Sequence, residues 1–119
     1  MARIFSLRRK STVSLRQRKQ FLLSQLNIAP DLLRASFVER FSVCGKQNCR
    51  CHHGGQKHGP FYYLTQCLAV GKVAKFLLRT PDQQSQARAG VAHYRQLQEQ
   101  LEELSQINAE LLRREDPLP

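Results

Sequence analysis

Apolar residues recur at helical spacing near both ends of this chain and run together at strand spacing between them. In the first stretch Leu15, Leu22 and Leu26 recur at helical spacing, with Phe21 and Leu23 beside them. Ser11 or Thr12 supplies an N-cap, and Asn27–Pro30 ends the helix, because a residue before proline is driven out of the helical region. Arg16, Gln17, Arg18 and Lys19 fall on the wet side of that helix. Asp31–Leu33 has room for one turn. Residues 1–10 show no period and read as a flexible basic arm.

The middle of the chain changes character. Phe37, Val38, Phe41 and Val43 mark a strand over Ser36–Val43, and Phe61–Leu68 is a second run of strand formers. Gly71-Lys72 is a turn, and Val73–Leu78 is a third run, so the second and third strands read as a hairpin. Three short strands need a helix over one face to be stable.

From Pro81-Asp82 to Arg114 no proline interrupts the chain, and a helix of that length measures about 50 Å. Tyr94, Leu97, Leu101, Leu104, Asn108 and Leu111 alternate four and three residues apart, and Gly90 extends the series backwards. This is a heptad seam with Asn108 at a core position, while Gln98, Gln100, Ser105 and Ile107 border it. The seam points to a coiled-coil homodimer ahead of an intramolecular helical hairpin. The expected fold is therefore α+β: a basic N-terminal helix, a three-stranded antiparallel sheet and a long C-terminal helix. The corresponding segments are a basic arm and helix (1–34), a β module (35–80) and the long helix (81–119).

Charge divides the chain unevenly. Residues 1–80 hold 15 Lys or Arg against Asp31 and Glu39 alone, a formal +13, and residues 81–119 balance to −3. Arg3, Arg8, Arg9, Lys10, Arg16, Arg18 and Lys19 all precede residue 20 with no acid among them. A basic front half and a mildly acidic tail suit a polyanion and a protein partner respectively. No run is long and apolar enough for a membrane span, so no membrane partner is expected, and a cytoplasmic protein is.

Cysteine and histidine are concentrated between Cys44 and Pro60, where CGKQNCRCHHGGQKHGP gives C-x4-C-x-C-x6-H. Cys44, Cys49, Cys51 and His58 supply the three thiols and one imidazole of a closed structural zinc site. Crowded thiols with no secretory signal ahead of them read as metal ligands rather than disulfides. Lys46, Arg50 and Lys57 would offset the thiolate charge. Cys49 and Cys51 cannot both chelate from a straight strand, so the chain must turn there. His52 and His53 read as exposed loop residues, although either has the chemistry to replace His58. Cys67 reads as a small buried side chain. An iron–sulfur cluster through Cys67 fits the spacing poorly. With only two acids ahead of Asp82, the chain lacks the carboxylates of a hydrolytic metal site, and no enzyme activity is expected.

The string C-G-K-x-x-C-x-C, a short glycine-containing gap, H-G-P, an aromatic run, a Gly-Lys turn and a long helix resembles a family of small prokaryotic proteins known only as a domain of unknown function. The resemblance spans roughly Phe37 to Leu112 and is carried by Cys44, Gly45, Lys46, Cys49, Cys51, Gly54, His58, Gly59, Pro60, Tyr63, Gly71 and Lys72. It implies a metal-binding sheet-and-helix module and brings a weak association with mobile elements. The leading expectation is a zinc-stabilised nucleic-acid-binding protein, with DNA ahead of RNA. Arg3, Arg8, Arg9, Lys10, Arg16, Arg18 and Lys19 would contact phosphates, and Lys46, Arg50 and Lys57 would approach a groove. Phe61 and Tyr62 are the aromatic candidates for base stacking, though sheet aromatics more often serve a core. The alternative is a structural zinc adaptor that joins protein partners through its long helix.

Overall fold

A computed structural model of the protein describes residues 3–119. Met1 and Ala2, the start of the expected arm, lie outside the described residues. The elements are α1 (Thr12–Gln25), β1 (Ser36–Ser42), β2 (His58–Ala69), β3 (Lys72–Leu78) and α2 (Pro81–Arg113). The sheet is antiparallel in the order β1-β2-β3, with the Cys/His loop between β1 and β2, and the α+β expectation holds.

The chain forms two compact units. One is built from residues 31–92 and the other from residues 1–30 with 93–119. These units regroup the three sequence segments by contact, and α2 contributes residues to both.

In the sheet unit, Thr80 Oγ1 accepts from the Gln83 N–H at 3.1 Å, and Gln83 Oε1 accepts in return from the Thr80 N–H at 3.4 Å and from the Arg79 N–H at 2.9 Å. With Pro81 at the first helical position, this capping box starts α2 directly after β3. Ala87 and Val91 of α2 then bury Leu64 and Leu78, with Leu33, Ala35, Phe37 and Tyr62 around them. Gly90 allows segment 31–33 to come close. Its carbonyl accepts from the Leu33 N–H at 3.1 Å, and a Cβ there would lie 2.3 Å from the Asp31 oxygen.

In the helical unit, Ser11 caps α1 through an Oγ that accepts from the Ser14 N–H at 3.1 Å. Leu15 and Leu22 of α1, Ile107 and Leu111 of α2, and Leu7 form its core, with Phe5, Leu104 and Leu118 against it. Arg3 meets Glu99, the Phe5 N–H donates to Gln106 Oε1, and Arg114 donates to the carbonyls of Leu7, Arg8 and Lys10. The first residues therefore run along α2 toward its C-terminus. α1 then returns antiparallel, with Thr12 at Arg114 and Arg18 at Glu103.

Two expectations change here. Residues 3–10 are not a free arm, because Leu7 is buried at 7 % exposure and Gln106 and Arg114 bind the backbone. Deleting residues 1–10 would thus damage the core. The heptad seam is also displaced. Ile107, placed at its border, is fully buried, while Leu101, placed at its centre, is 50 % exposed. A 3.6-residue stripe of Leu104, Ile107 and Leu111 faces α1 and the Leu7 segment, so the same chain covers part of α2. Tyr94, Leu97 and Asn108 are half-buried.

Candidate metal centre

The ligand loop begins where β1 ends in a register shift between Arg40 and Ser42, which detaches Val43 and Cys44 from the ladder. After Cys49 the chain makes a single 3-10 turn over Arg50–His52, with the Cys49 carbonyl accepting from the His52 N–H at 3.1 Å. This is the turn that two thiols one residue apart require. His58 opens β2, where it pairs with Ser42. Beside it, Gly59 has φ 137°, and a Cβ there would lie 2.9 Å from the Arg40 oxygen. Only glycine fits this backbone at such close approach to β1.

These local choices bring Cys44, Cys49, Cys51 and His58 together, with one donor atom from each within 4.8 Å of the others. Cys51 Sγ lies 3.6 Å from Cys44 Sγ, and Cys49 Sγ lies 3.4 Å from His58 Nε2. A tetrahedral zinc with ordinary bond lengths needs edges of about 3.8 Å between sulfurs and about 3.6 Å from sulfur to nitrogen. The donor set and its spacing fit such an ion. All four cysteines are free thiols.

The electrostatics already favour a thiolate. The Cys49 thiol is lowered to about 6 by the Cys51 N–H first, then by His58, Cys44 and Cys51 side chains. Cys51 is pushed the other way. The Cys44 N–H, 3.3 Å from its sulfur, favours its thiolate, but burial and the neighbouring Cys49 and Cys44 sulfurs outweigh that bond. A dication removes this conflict between neighbouring thiolates, which is the usual reason thiol clusters bind metal.

The remaining candidates sort clearly. His52 Nε2 is 2.6 Å from the Cys44 carbonyl and His53 Nε2 is 3.1 Å from the Gln47 carbonyl, so both rings bind loop backbone. Cys67 is exposed near the end of β2, its Sγ 3.5 Å from the Ala69 carbonyl, and is not the buried side chain expected. Lys46, Arg50 and Lys57 are exposed around the loop.

The expected phosphate contacts divide differently. Arg3 pairs with Glu99, Arg16 with Asp116 at 3.1 Å, and Arg18 with Glu103 at 2.6 Å. Lys19 donates to the Leu118 carbonyl. Arg8, Arg9 and Lys10 keep exposed side chains. These basic residues lie in a segment without acids, and their partners lie roughly 85–100 residues on. Tyr62 likewise packs inward, its ring 5.3 Å from Phe37 with Arg88 over both.

Residues 12–67 match the model of a family described as a domain of unknown function (DUF6788). The match takes in α1, β1, the ligand loop and most of β2, just under half of the chain, so this part is similar to an uncharacterised family. It begins earlier than the resemblance read from the sequence and ends before the Gly71-Lys72 turn and α2. No curated protein and no solved structure matches the chain. Among the described residues, no helix is long and apolar enough to cross a membrane.

Proposed function

We propose that the protein is a zinc-stabilised nucleic-acid-binding protein, with DNA as its first ligand, and that it is not an enzyme. The observation that carries this reading is the charge of the unit that holds the ligands. Residues 31–92 contain nine Lys or Arg against Asp31, Glu39 and Asp82, a formal +6. Three thiolates and a zinc dication would take one charge away and leave the unit strongly cationic. Four protein donors complete a tetrahedron, so the metal would act as a staple with no position for substrate. Its binding energy would be folding energy for a loop that holds few apolar side chains.

The helical unit contributes less to polyanion binding than its composition implies, since Arg3, Arg16 and Arg18 are paired with acids. The loop bases Lys46, Arg50 and Lys57 become the main candidates, with Arg8, Arg9 and Lys10 in support. Binding to duplex DNA over a salt series tests this. Replacing Lys46, Arg50 and Lys57 by Ala lowers the slope of log affinity against log salt by up to about 2.7 if each neutralises one phosphate. A slope unchanged by that replacement defeats the loop assignment, and no salt-dependent binding at all defeats the reading.

A second reading, an adaptor that joins protein partners or a second copy through α2, is supported by Leu101 and Leu112. They are 50 % and 60 % exposed on the distal helix, and with Leu104, Asn108 and Ala109 they line one shallow groove. Sedimentation at high micromolar concentration separates the readings. A dimer dissociated by Leu101→Lys supports the adaptor, and a monomer opposes self-association.

A further inference from the structure

Within the sheet unit, α2 packs against one face of the sheet. Facing pairs in an antiparallel ladder share a side, and alternate residues change side. The pairs Phe37↔Leu64 and Tyr62↔Leu78 therefore place Phe37, Tyr62, Leu64 and Leu78 on the face that packs against Ala87 and Val91. The pairs Val38↔Tyr63, Arg40↔Phe61, Thr65↔Lys75 and Tyr63↔Leu77 place a different set on the other face, and none of these residues belongs to the unit's buried cluster.

The composition of that second face is specific. Its centre is Phe61 and Tyr63, two residues apart on β2 and so about 7 Å apart along the strand. Each aromatic has a cation from a flanking strand. Arg40 of β1 faces Phe61 directly, and the Lys75 Nζ of β3 lies over the Tyr63 ring, 4.5 Å from its centroid. Phe61 is 36 % exposed, Tyr63 is half-buried, and Arg40 and Lys75 are exposed. Glu39, the one acid in the three strands, pairs with Tyr62 and so belongs to the helix-covered side. This face thus presents two aromatic rings and two cations beside Val38, Thr65 and Leu77, with no carboxylate. An acidic protein surface would use the cations but would leave the rings without stacking partners.

We propose that this open face is a stacking platform for single-stranded nucleic acid, with Phe61 and Tyr63 receiving bases and Arg40 and Lys75 receiving the phosphates beside them. The proposal rests on the nucleic-acid reading above and narrows it to a strand whose bases are free to leave the stack. Bases in a duplex have both faces covered by their neighbours and cannot lie on these rings, whereas an extended single strand advances one nucleotide over about the spacing of Phe61 and Tyr63. Stacking is tolerant of base identity, so the face would bind with little sequence preference. The ammonium now over Tyr63 would move aside to the phosphate of the stacked nucleotide.

The test is fluorescence anisotropy of the zinc-loaded full chain with a labelled oligothymidine of about 20 nucleotides, and with a duplex of similar length. Phe61→Leu and Tyr63→Leu should each weaken oligothymidine binding by about 5- to 150-fold and leave duplex affinity within about twofold, whereas Tyr63→Phe should keep it. Lys75→Gln should lower the salt slope on the single strand by about 0.7. Zinc stoichiometry and circular dichroism confirm that each variant is folded. If Tyr63→Leu does not fold, Phe61→Leu, at an exposed position, decides alone. Unchanged oligothymidine affinity in a folded leucine variant overturns the platform. Duplex binding without single-strand binding also overturns it while sparing the broader reading. Failure to bind either probe overturns both.

Discussion

The two compact units hold themselves together by different means. The sheet unit has four buried apolar residues in its cluster and a loop whose ordered turns bring together four side chains that could hold a metal ion. The helical unit has a core of four leucines and one isoleucine, all fully or nearly buried, and a belt of Arg–carboxylate pairs from Arg3–Glu99 to Arg16–Asp116. Both are cationic, formally +6 and +4, yet the charge is used differently. In the helical unit five arginines are engaged in internal ion pairs. In the sheet unit Arg40, Lys46, Arg50, Lys57 and Lys75 make no ion pair among the described residues and are exposed. Similar composition therefore does not mean similar availability.

The sharpest way to break this comparison is to remove the proposed metal. Chelation of zinc-loaded protein, or Cys51→Ser, should unfold the ligand loop and its strands, since a binding energy of order 10 kcal/mol is at stake. The helical unit should keep its helicity, followed by circular dichroism and by amide exchange at Leu15 and Ile107. Simultaneous loss of both would show that the units are not independent.

Next in size are core truncations. Ile107→Ala or Leu22→Ala should each cost about 2–5 kcal/mol in urea unfolding, because both side chains are almost fully buried. Leu101→Ala should cost under about 1 kcal/mol in the monomer, its side chain being half exposed. Equal costs at Ile107 and Leu101 would restore the heptad seam and the paired-helix dimer.

Acid should separate the units by mechanism. Arg113 first and then Arg114 hold the Glu110 carboxyl at about 2, well below its ordinary 4.5, and Arg18 lowers Glu103. Groups lowered on folding stabilise the protein above their unfolded values, and that contribution drains away as pH falls toward the folded value. The helical unit should thus lose stability between about pH 4.5 and 2, and Glu110→Gln should flatten that part of the curve. Helical melting followed over that range checks the sign. The sheet unit should fail earlier on the way down, as ligand protonation releases zinc.

The smallest effect expected is at the paired arginines. Arg16→Ala should change the salt slope for DNA by less than the roughly 0.9 of a full phosphate contact, because its guanidinium serves Asp116. A full unit lost at Arg16 would mean that the ion pair opens on binding.

Local chemistry explains what was legible in the sequence. Runs such as Phe61–Leu68 and Val73–Leu78 carry their strand preference residue by residue, and Cys44, Cys49, Cys51 and His58 lie close enough in sequence for their meeting to be foreseen. The partner of α2 was not legible in the same way. A four-three alternation through Asn108 and a 3.6-residue stripe through Ile107 coexist on one helix, and the choice depends on Leu15 and Leu22 far away in sequence. The arm posed the same difficulty, since Glu99 and Asp116 cancel bases about a hundred residues earlier. Strand periodicity does not show which face is covered, and Cys67 is exposed rather than buried.

The Arg114 guanidinium, which gathers the carbonyls of Leu7, Arg8 and Lys10 and the Thr12 hydroxyl, has a consequence for synthesis. A polypeptide leaves the ribosome from its N-terminus, so residues 3–30 emerge long before the α2 residues that complete their unit. Residues 31–92 form a continuous unit and have all four candidate metal ligands once His58 has emerged. Until Glu99, Glu103 and Asp116 appear, the nascent chain carries Arg3, Arg18 and Arg16 unneutralised, and the order of translation sets the order in which these charges are satisfied.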